Sequence, residues 1–319
     1  MPIIGVDIGG TKSTVCFADG DGHLNHVDEF KTTGVDETLG RIYQKVETLA
    51  KAKDTIIGIA CGGPLDIERG LIQEPPNLPG WIDVPIVKEL SERCRVPAYL
   101  MNDANAGALA EWIYGAGRGT SNMIFLTCGT GIGAGLILDN RLYEGTSGLA
   151  GEVGHMRLSD NGPIGYRKAG SFEGWCSGGG LAQAAKERAV ELTGEASFDS
   201  GNENLITTKI VAEAALKGDP EALKLFQQFG DYLGRGLAIL IDILNPQKIV
   251  IGSVFARCEE LIRPSMEASV NRECLPESIS HCSVVSSELG DHISNYAALS
   301  VARYRSGNSK IAILAERNA

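Results

Sequence analysis

Short apolar runs that end in glycine-bearing turns alternate along the chain with segments whose apolar residues recur at helical spacing. Residues 38–51 carry apolar side chains at Leu39, Ile42, Val46 and Leu49, a period that predicts a helix. Further helices are expected over residues 84–94, 104–114, 179–192, 207–217, 220–244 and 292–305. Uninterrupted apolar runs predict strands over residues 55–61, 96–101, 248–251 and 282–286. Strands that alternate with helices in this way indicate an α/β protein with mixed sheets.

Two stretches of the chain repeat one pattern of strand, glycine turn, strand, tight turn and strand. Gly9 and Asp19 of the first copy correspond to Gly129 and Asp139 of the second, so the two turns are equally spaced in both. The pattern predicts a β-meander in each copy. Backbone N–H groups at glycine turns can form a concave anion site, so we expect the pair to hold the phosphates of one nucleotide between two lobes. The alternative is that each copy is an ordinary glycine-bearing hairpin.

Length, charge and cysteine usage narrow the class of protein. A chain of 319 residues is long enough for about two domains, and its net charge of −11 argues against nucleic acid as a partner. No run approaches the roughly 20 apolar residues that a membrane span needs, so we expect no membrane association. The chain opens directly on a predicted strand, and its eight cysteines include no C-x-x-C pair. We therefore expect a cytoplasmic protein whose cysteines are reduced.

Four motifs follow one another along the chain: DIGGTK at residues 7–12, NDANA at 102–106, GTGIG at 129–133 and GEVGH at 151–155. In order and spacing they resemble the ROK family, a group of bacterial sugar kinases and repressors within the actin/hexokinase superfamily. The resemblance covers nearly the whole chain. It implies an α/β fold of two ribonuclease-H-like (actin-like ATPase) lobes, with mixed sheets flanked by helices. It also implies transfer of the γ-phosphate of ATP to a hexose, with Mg²⁺ as cofactor, and we expect a homodimer.

The same resemblance suggests where the lobes divide. We expect an N-terminal lobe over residues 1–115, with a C-terminal helix of about residues 292–319 packing back on it, and a C-terminal lobe over residues 116–291. The glycine-rich segment 115–117 would then be a flexible crossing that lets the lobes close over bound sugar and exclude water.

Asp103 is the candidate catalytic base, because it lies where an apolar strand gives way to a helix. The local sequence favours a helix N-cap equally, since aspartate is common at that position. The resemblance favours the catalytic role, and it makes Asn102 a hydrogen-bonding partner for sugar hydroxyls. Asp7 lies among apolar neighbours, where an unpaired charge is costly. It either caps its own turn or organises Mg²⁺ and its waters; the resemblance favours the metal, directly or through water.

The other site residues are carried over from the family motifs. A lone glutamate or histidine in a glycine-rich stretch is more often exposed to solvent or satisfied in the core, but the matching GEVGH pattern favours a sugar site. The expected sugar-binding residues are Gly63, Asn102, Asp103, Glu152, His155 and Glu173. The expected ATP-binding residues are Gly9, Gly10, Thr11, Gly129, Thr130, Gly131 and Gly252.

One departure from the family pattern concerns zinc. Most members have three cysteines between the motif histidine and the last sugar-contacting glutamate, in the order C-x-C-G-x-x-G-C-x-E, and bind a structural Zn²⁺ there. Here Ile164, Tyr166 and Ser171 occupy those positions. Because isoleucine and tyrosine are not tetrahedral zinc ligands, we expect no zinc. We expect apolar packing to fix this loop instead, through Ile164, Tyr166, Phe172 and Trp175.

The leading function is therefore an ATP-dependent hexose kinase that acts on the 6-hydroxyl. The loop at residues 76–81, PNLPGW, resembles that of glucokinase-like members, so glucose is the leading substrate. An N-acetylmannosamine or other N-acetylhexosamine kinase, a fructokinase and a β-glucoside kinase stay open. The alternative of another class is a non-catalytic sugar-sensing regulator. Repressors of the family carry a helix-turn-helix before the kinase-like part, whereas here the phosphate hairpin begins at residue 7, which favours the enzyme.

Overall fold

The structure, a computed structural model, describes residues 1–19, 23–192, 196–199 and 201–307. Its strands are β1 (Ile3–Ile8), β2 (Lys12–Ala18), β3 (Leu24–Lys31), β4 (Ile56–Cys61), β5 (Leu65–Asp66), β6 (Leu71–Ile72), β7 (Ala98–Asn102), β8 (Met123–Cys128), β9 (Ile132–Leu138), β10 (Arg141–Leu142), β11 (Ile164–Gly165), β12 (Lys168–Ala169), β13 (Lys248–Ile251) and β14 (Ser283–Ser286). Its helices are α1 (Val35–Leu49), α2 (Ile86–Cys94), α3 (Asp103–Tyr114), α4 (Phe172–Cys176), α5 (Gly178–Glu191), α6 (Thr208–Leu216), α7 (Pro220–Leu244), α8 (Val254–Arg257), α9 (Glu259–Glu273), α10 (Pro276–Ile279) and α11 (Ile293–Arg305). The tip of the first predicted tight turn, residues 20–22, and the end of the predicted last helix, residues 308–319, lie outside the described residues.

Two five-stranded sheets have the same strand arrangement. The first has the order β3-β2-β1-β4-β7, in which β1, β2 and β3 form an antiparallel meander and β4 and β7 run parallel to β1. The second has the order β10-β9-β8-β13-β14, with β13 and β14 parallel to β8. The fold is therefore mixed α/β with two mixed sheets flanked by helices. This confirms the predicted fold class and the repeat seen in the sequence.

Strand β4, in the parallel part of the first sheet, shows why an uninterrupted apolar run forms a central strand. All six of its residues are buried, because β1 and β7 pair with its two edges and helices cover the sheet. A strand buried on both faces needs apolar side chains at every position. Strand β3, at the sheet edge, is mostly exposed and accordingly reads as a polar sequence.

Helix α9 is absent from the sequence prediction, since Pro264 in its second turn is a strong signal against a continuous helix. Close packing on α7 stabilises it nevertheless. A Cβ atom on Gly230 would lie 2.5 Å from the carbonyl oxygen of Ile262, and one on Gly234 would lie 2.5 Å from that of Met266. The two glycines of α7 thus let the backbones of these helices touch, and tertiary packing outweighs the local cost of the proline.

The chain divides into two compact units. The first unit comprises residues 1–121, 135–148 and 288–319, and the second comprises residues 122–134 and 149–287. This division assigns residues 116–121 and 135–148 to the first unit, whereas the boundary expected from the sequence at 115 assigns them to the second lobe. In the described residues, no helix is both long enough and apolar enough to cross a membrane.

Helix α11 packs on the first sheet, in contact with β1 and β4. Gly5 and Gly58 make room for it. A Cβ atom on Gly58 would lie 2.1 Å from the carbonyl oxygen of Ala298, and one on Gly5 would lie 3.0 Å from the Cβ atom of the same alanine. The first unit therefore contains strands from the start of the chain and a helix from residues 293–305.

Segment 115–117, the predicted flexible crossing, is anchored to the end of α3. The backbone N–H groups of Gly115 and Gly117 both donate to the carbonyl oxygen of Glu111, at 3.0 and 2.9 Å. The N–H of Ala116 donates to the Glu111 side chain at 2.8 Å. Three backbone N–H groups of the segment are thus hydrogen-bonded to one residue of α3.

Candidate active site

The predicted residues of the first unit lie at one edge of its sheet, where the carboxyl ends of β1, β4 and β7 meet. Asp7 is the second-last residue of β1, and Asp103 directly follows β7. The register pairs Cys61, at the end of β4, with Asn102. A Cβ atom on Gly62 would come 3.7 Å from Oδ2 of Asp103. The topology thus brings both aspartates to the same strand ends, a common place for ligand sites in parallel sheets.

The N-cap of helix α3 is Asn102, not Asp103. Its side-chain oxygen accepts hydrogen bonds from the backbone N–H groups of Ala104, at 3.0 Å, and Asn105, at 3.4 Å. Asp103 is the first residue of the helix, and only its Oδ1 is engaged there, with the N–H of Ala104 at 2.8 Å. The cap position is therefore filled by the neighbour, which leaves the Oδ2 atom of Asp103 for another task. The amide nitrogen of Asn102 lies beside exposed Gly63, where an added Cβ atom would be 3.7 Å from it.

Both aspartates have raised pKa values. Desolvation raises the pKa of half-buried Asp7 to about 7, with a further contribution from the negative charge of Asp103, and Lys12 acts in the opposite direction. Water reaches the Asp103 side chain, but the protein around it removes part of its hydration, and this raises the pKa of Asp103 as well. Two carboxylates at one edge of the sheet thus repel each other, and a cation or a proton would relieve that repulsion.

These carboxylates fit a magnesium site. Mg²⁺ prefers oxygen ligands and takes only one or two carboxylates, with water and substrate phosphates completing the shell. Among the residues that the structure describes, no group of three or more His, Cys, Asp or Glu side chains could hold a metal. Asp7, which is half-buried and lies near the negative charge of Asp103, offers the carboxylate oxygens that a cation of that kind prefers.

The first glycine turn connects β1 to β2. The N–H of Gly9 donates to the carbonyl oxygen of Lys12 at 3.0 Å, and the Gly9 carbonyl accepts from the hydroxyl of Thr32 at 2.7 Å. Gly10 and Thr11 form the exposed tip. A Cβ atom on Gly10 would lie 2.6 Å from the carbonyl oxygen of Asn77, so only glycine lets the turn approach the 76–81 loop.

The second glycine turn, which connects β8 to β9, lies in the second unit. The N–H of Gly129 donates to the carbonyl oxygen of Gly131 at 3.1 Å, which closes the turn. The start of α5 holds it from outside: the N–H groups of Gly178 and Gly179 donate to the carbonyl oxygens of Gly129, at 2.7 Å, and Thr130, at 3.3 Å. Exposed Thr130 is at the tip. The backbone of the turn is therefore hydrogen-bonded both within itself and to α5, as expected of a pre-formed anion site.

Glu152, His155 and Glu173 also lie in the second unit. Glu152 is exposed and precedes the short 3₁₀ helix Val153–His155. The ring of His155 meets that of Tyr166 edge to face, with 5.0 Å between the ring centroids. Lys168 donates from Nζ to the carbonyl oxygen of His155 at 2.6 Å. Tyr166 stands where the family pattern has a cysteine, so an aromatic contact orients the histidine here.

The loop that lacks the family's cysteines is fixed differently from the prediction. Ile164 and Tyr166 are 56% and 60% exposed, so the prediction that apolar packing of these two residues helps to fix the loop is wrong. Phe172 is fully buried, and Trp175 stacks on Tyr232 at 3.9 Å between centroids. Buried Ser171 caps α4 by accepting from the N–H of Gly174 at 3.0 Å. The loop is therefore held by the predicted pair of aromatic residues and by a helix cap.

Ser253 is a site candidate that the sequence prediction missed. It follows predicted Gly252, which is buried and donates its N–H to the carbonyl oxygen of Leu126 at 3.0 Å. Ser253 has φ 54° and ψ −115°, a strained conformation for a residue with a side chain. Its hydroxyl lies 3.6 Å from the position of a Cβ atom on Gly129. Strain of this kind is invisible in sequence, because serine does not signal a positive φ.

These features define a class of protein: an α/β chain of the actin-like ATPase fold, with a glycine turn in each of two units and paired aspartates at strand ends. The chain belongs to the ROK family, whose family model matches residues 3–304.

Three relatives show the range within the family. The glucokinase of Thermotoga maritima is 31% identical over 315 residues, which cover 96% of this chain and 99% of that protein. A crystal structure of a ROK family glucokinase from Streptomyces griseus, in complex with glucose and AMPPNP, is 31% identical with a TM-score of 0.77 and covers 95% of this chain and 99% of that one. The DNA-binding transcriptional repressor Mlc of Escherichia coli is 29% identical over 274 residues, 84% of this chain and 62% of that protein. The family therefore includes both kinases and repressors.

Proposed function

We propose that this protein is an ATP-dependent hexose kinase that transfers the γ-phosphate to the 6-hydroxyl of glucose. The observation that carries the proposal is the arrangement at the start of α3. Asn102 caps the helix, so the Asp103 carboxylate beside it is left to act as a base. Relatives named glucokinase, about 30% identical over most of the chain, support the same class of reaction.

Each of the two units contributes residues with its own roles in the proposed reaction. Asp103 takes the proton of the attacking sugar hydroxyl while the hydroxyl oxygen bonds to the γ-phosphorus and ADP leaves with the electrons of the broken P–O bond. A raised pKa makes Asp103 a stronger base than an ordinary aspartate, which suits proton abstraction near neutral pH. The sugar contacts are the amide of Asn102 in the first unit and Glu152, His155 and Glu173 in the second. Gly63 contributes its exposed backbone.

The glycine turns bind the nucleotide phosphates through backbone N–H groups. Gly10 and Thr11 would donate in the first unit, and Thr130 and Gly131 in the second. The N–H groups of Gly9, Gly129 and Gly252 have backbone acceptors, so the proposed role of these three glycines is to let the backbone come close to the phosphates. Asp7 would hold Mg²⁺, directly or through water, and the ion would neutralise part of the phosphate charge when bound.

Glucose leads as substrate because the 76–81 loop packs on the first phosphate turn and resembles that of glucokinase-like members. Trp81 and Leu78 are almost fully buried, which fixes this loop. N-acetylmannosamine, other N-acetylhexosamines and fructose are the alternatives within the enzyme class. A site built to hydrogen-bond one hydroxyl rejects analogues that lack it, so a substrate panel separates these cases.

A sugar-sensing regulator is the second candidate, and the similarity to the repressor Mlc favours it. A sensor needs to bind sugar but needs no catalytic base. This chain has Asp103 at the position of the family's base, and the Oδ2 atom of Asp103 takes no part in the helix cap. The enzyme therefore remains the first choice. We also propose a homodimer in the reducing cytoplasm, a placement supported by the eight cysteines, which are all free.

An ATP-coupled assay with a panel of hexoses tests the proposal, with Asp103→Asn as the matched control. We expect turnover with glucose that depends on Mg²⁺ and is lost in the variant. Glucose binding without turnover in the wild-type protein, measured by calorimetry, would favour the regulator. Faster turnover of another hexose would keep the reaction class and replace the substrate.

A further inference from the structure

The carboxylate of Glu173 lies against the second glycine turn. Its Oε2 atom accepts a hydrogen bond from the backbone N–H of Ile132 at 3.0 Å, directly after the turn. A Cβ atom on Gly131 would lie 2.5 Å from the same oxygen, so the turn and the carboxylate are in contact. A residue expected to bind sugar thus also bonds to the backbone that is expected to bind phosphate.

The stem of the Glu173 side chain has little freedom to move. A Cβ atom on Gly165 would lie 2.8 Å from the Cβ of Glu173, and one on Gly154 would lie 3.3 Å from it. The residue is half-buried. Because backbone encloses its Cβ on two sides, the carboxylate can shift only by rotation about its outer bonds.

A continuous segment from Glu173 to Gly179 joins the carboxylate to the rest of the turn. Helix α4 ends at Cys176, and buried Ser177 caps α5 by accepting from the N–H of Gly180 at 3.0 Å. The next two residues, Gly178 and Gly179, donate to the carbonyl oxygens of the turn. One short segment is therefore hydrogen-bonded to both ends of the turn. The Glu173 side chain bonds to the N–H of Ile132, and the Gly178 backbone bonds to the carbonyl oxygen of Gly129.

We propose that Glu173 is a positioning residue for the second glycine turn as well as a sugar contact, so that this one carboxylate couples sugar binding to nucleotide binding. The inference rests on the proposed kinase function. Oε2 holds the N–H of Ile132, and Oε1, further from Gly131, takes a sugar hydroxyl. A hydroxyl on Oε1 fixes the rotation of the carboxylate, which restrains the turn before the nucleotide arrives. By linkage, nucleotide binding raises sugar affinity by the same factor.

The test uses the full chain and three variants, with AMPPNP affinity measured by calorimetry in the absence of sugar. Glu173→Ala removes the acceptor for the Ile132 N–H and should weaken AMPPNP binding roughly 5-fold or more, the lower end of typical coupling between sites. Glu173→Gln keeps an acceptor oxygen and should stay within about 2-fold of the wild type. Glu213→Gln is the matched control, because Glu213 is an exposed glutamate on α6 of the same unit and has no expected part in sugar or nucleotide binding; AMPPNP binding without sugar should be unchanged.

Hydrogen exchange at the N–H of Ile132 in the ligand-free protein gives a second readout that does not depend on function. Protection should be lost in Glu173→Ala and retained in Glu173→Gln. Equal AMPPNP affinity in Glu173→Ala and the wild type would overturn the coupling, and unchanged protection would overturn the positioning role. A wild-type protein that binds no AMPPNP, with the expected exchange pattern, would contradict the kinase proposal and the coupling while supporting the positioning role.

Discussion

The side chain of Glu111 accepts a hydrogen bond from the backbone N–H of Leu289 at 3.1 Å, across 178 residues of sequence. The carboxylate is fully buried and also accepts from the N–H of Ala116, at 2.8 Å, and of Glu288, at 3.4 Å. One side chain at the end of α3 thus fixes two segments of the first unit where the chain runs towards the second. The buried carboxyl group is accommodated here because several N–H donors surround it.

Substitution of Glu111 should therefore destabilise the first unit. We expect Glu111→Ala to lower the free energy of unfolding by about 3 kcal/mol, since three backbone N–H groups lose a buried acceptor. Glu111→Gln, which keeps one acceptor oxygen, should cost less. The control is Glu288→Gln, which removes an ion pair with Arg118 whose partners are about half exposed; it should cost under about 1 kcal/mol. Denaturant unfolding measures all three, and equal losses in Glu111→Ala and the control would contradict the role of Glu111.

Asp103→Asn tests the catalytic base. The amide keeps the shape of the side chain and the bond from the N–H of Ala104, so glucose affinity should stay near normal. The rate constant kcat should fall roughly 10²-fold or more, within the usual range for loss of a general base. Steady-state kinetics and glucose titration separate the two effects. If kcat stayed within about 3-fold of the wild type, Asp103 would have only a structural role.

Asp7→Asn should stabilise the metal-free protein, and more so at pH 8 than at pH 5. The pKa of Asp7 is about 7 in the folded state and about 3.8 in the unfolded chain, so the folded state binds the proton more tightly. The wild-type protein therefore loses stability as pH rises from about 4 to 7. The neutral amide avoids this loss. Thermal unfolding in a chelating buffer should show a gain in Tm at both pH values, about 2–4 °C for each kcal/mol, with the larger gain at pH 8.

A gain of equal size at both pH values would show that the Asp7 carboxyl is not perturbed. The same variant should lose Mg²⁺-dependent turnover if Asp7 holds the ion. Stability and activity should thus change in opposite directions, as expected where a charge is retained for function rather than for folding.

A chelation experiment should distinguish a requirement for magnesium in turnover from a structural zinc site. The loop around Ser171 is held by a helix cap and by stacking of Trp175 on Tyr232, so removal of divalent ions should not unfold the protein. Turnover should stop and then return when Mg²⁺ alone is added. Elemental analysis should find zinc well below one atom per chain. A tightly held zinc in each chain, or unfolding after chelation, would contradict this expectation.

Gly58→Ala and Gly40→Ala should have opposite effects. A Cβ on Gly58 would lie 2.1 Å from the carbonyl oxygen of Ala298 in α11, so the variant must push the helix away, at a cost of about 1–3 kcal/mol or more. Gly40 lies on the exposed side of α1 with nothing within 4 Å, and alanine there should stabilise by roughly 0.5–1 kcal/mol. Thermal unfolding of both variants measures the difference. A stabilising Gly58→Ala would mean that α11 is not in close contact with β4.

Elements with a strong local pattern could be predicted from the sequence. The predicted bounds of strand β13 and helix α7 agree with the structure. An uninterrupted apolar run, or a helical period that begins at a cap, is compatible with few other local structures. Helix α9 could not be predicted, because its stability comes from glycines of α7 some 30 residues earlier. Packing of that kind has no local signal.

The site could be predicted where sequence motifs put functional side chains at the ends of strands and helices. Sequence could not decide whether Asp103 or its neighbour caps α3, since aspartate and asparagine have nearly equal preference for that position. Nor could it show that Tyr166 lies at the surface beside His155, because an aromatic residue in a loop can either pack in the core or lie at the surface against another ring. The bond from Ile132 to Glu173 spans 41 residues and likewise leaves no trace in local sequence.

The position of α11 has a consequence for the order in which the protein can assemble during synthesis. Strands β1 and β4 leave the ribosome early, but the helix that covers Gly5 and Gly58 emerges only after residue 305 has been added. The second unit, all of whose residues lie between 122 and 287, is complete before then. The first part of the chain to be made must therefore wait with one face of its sheet open, a period in which the exposed apolar surface favours self-association.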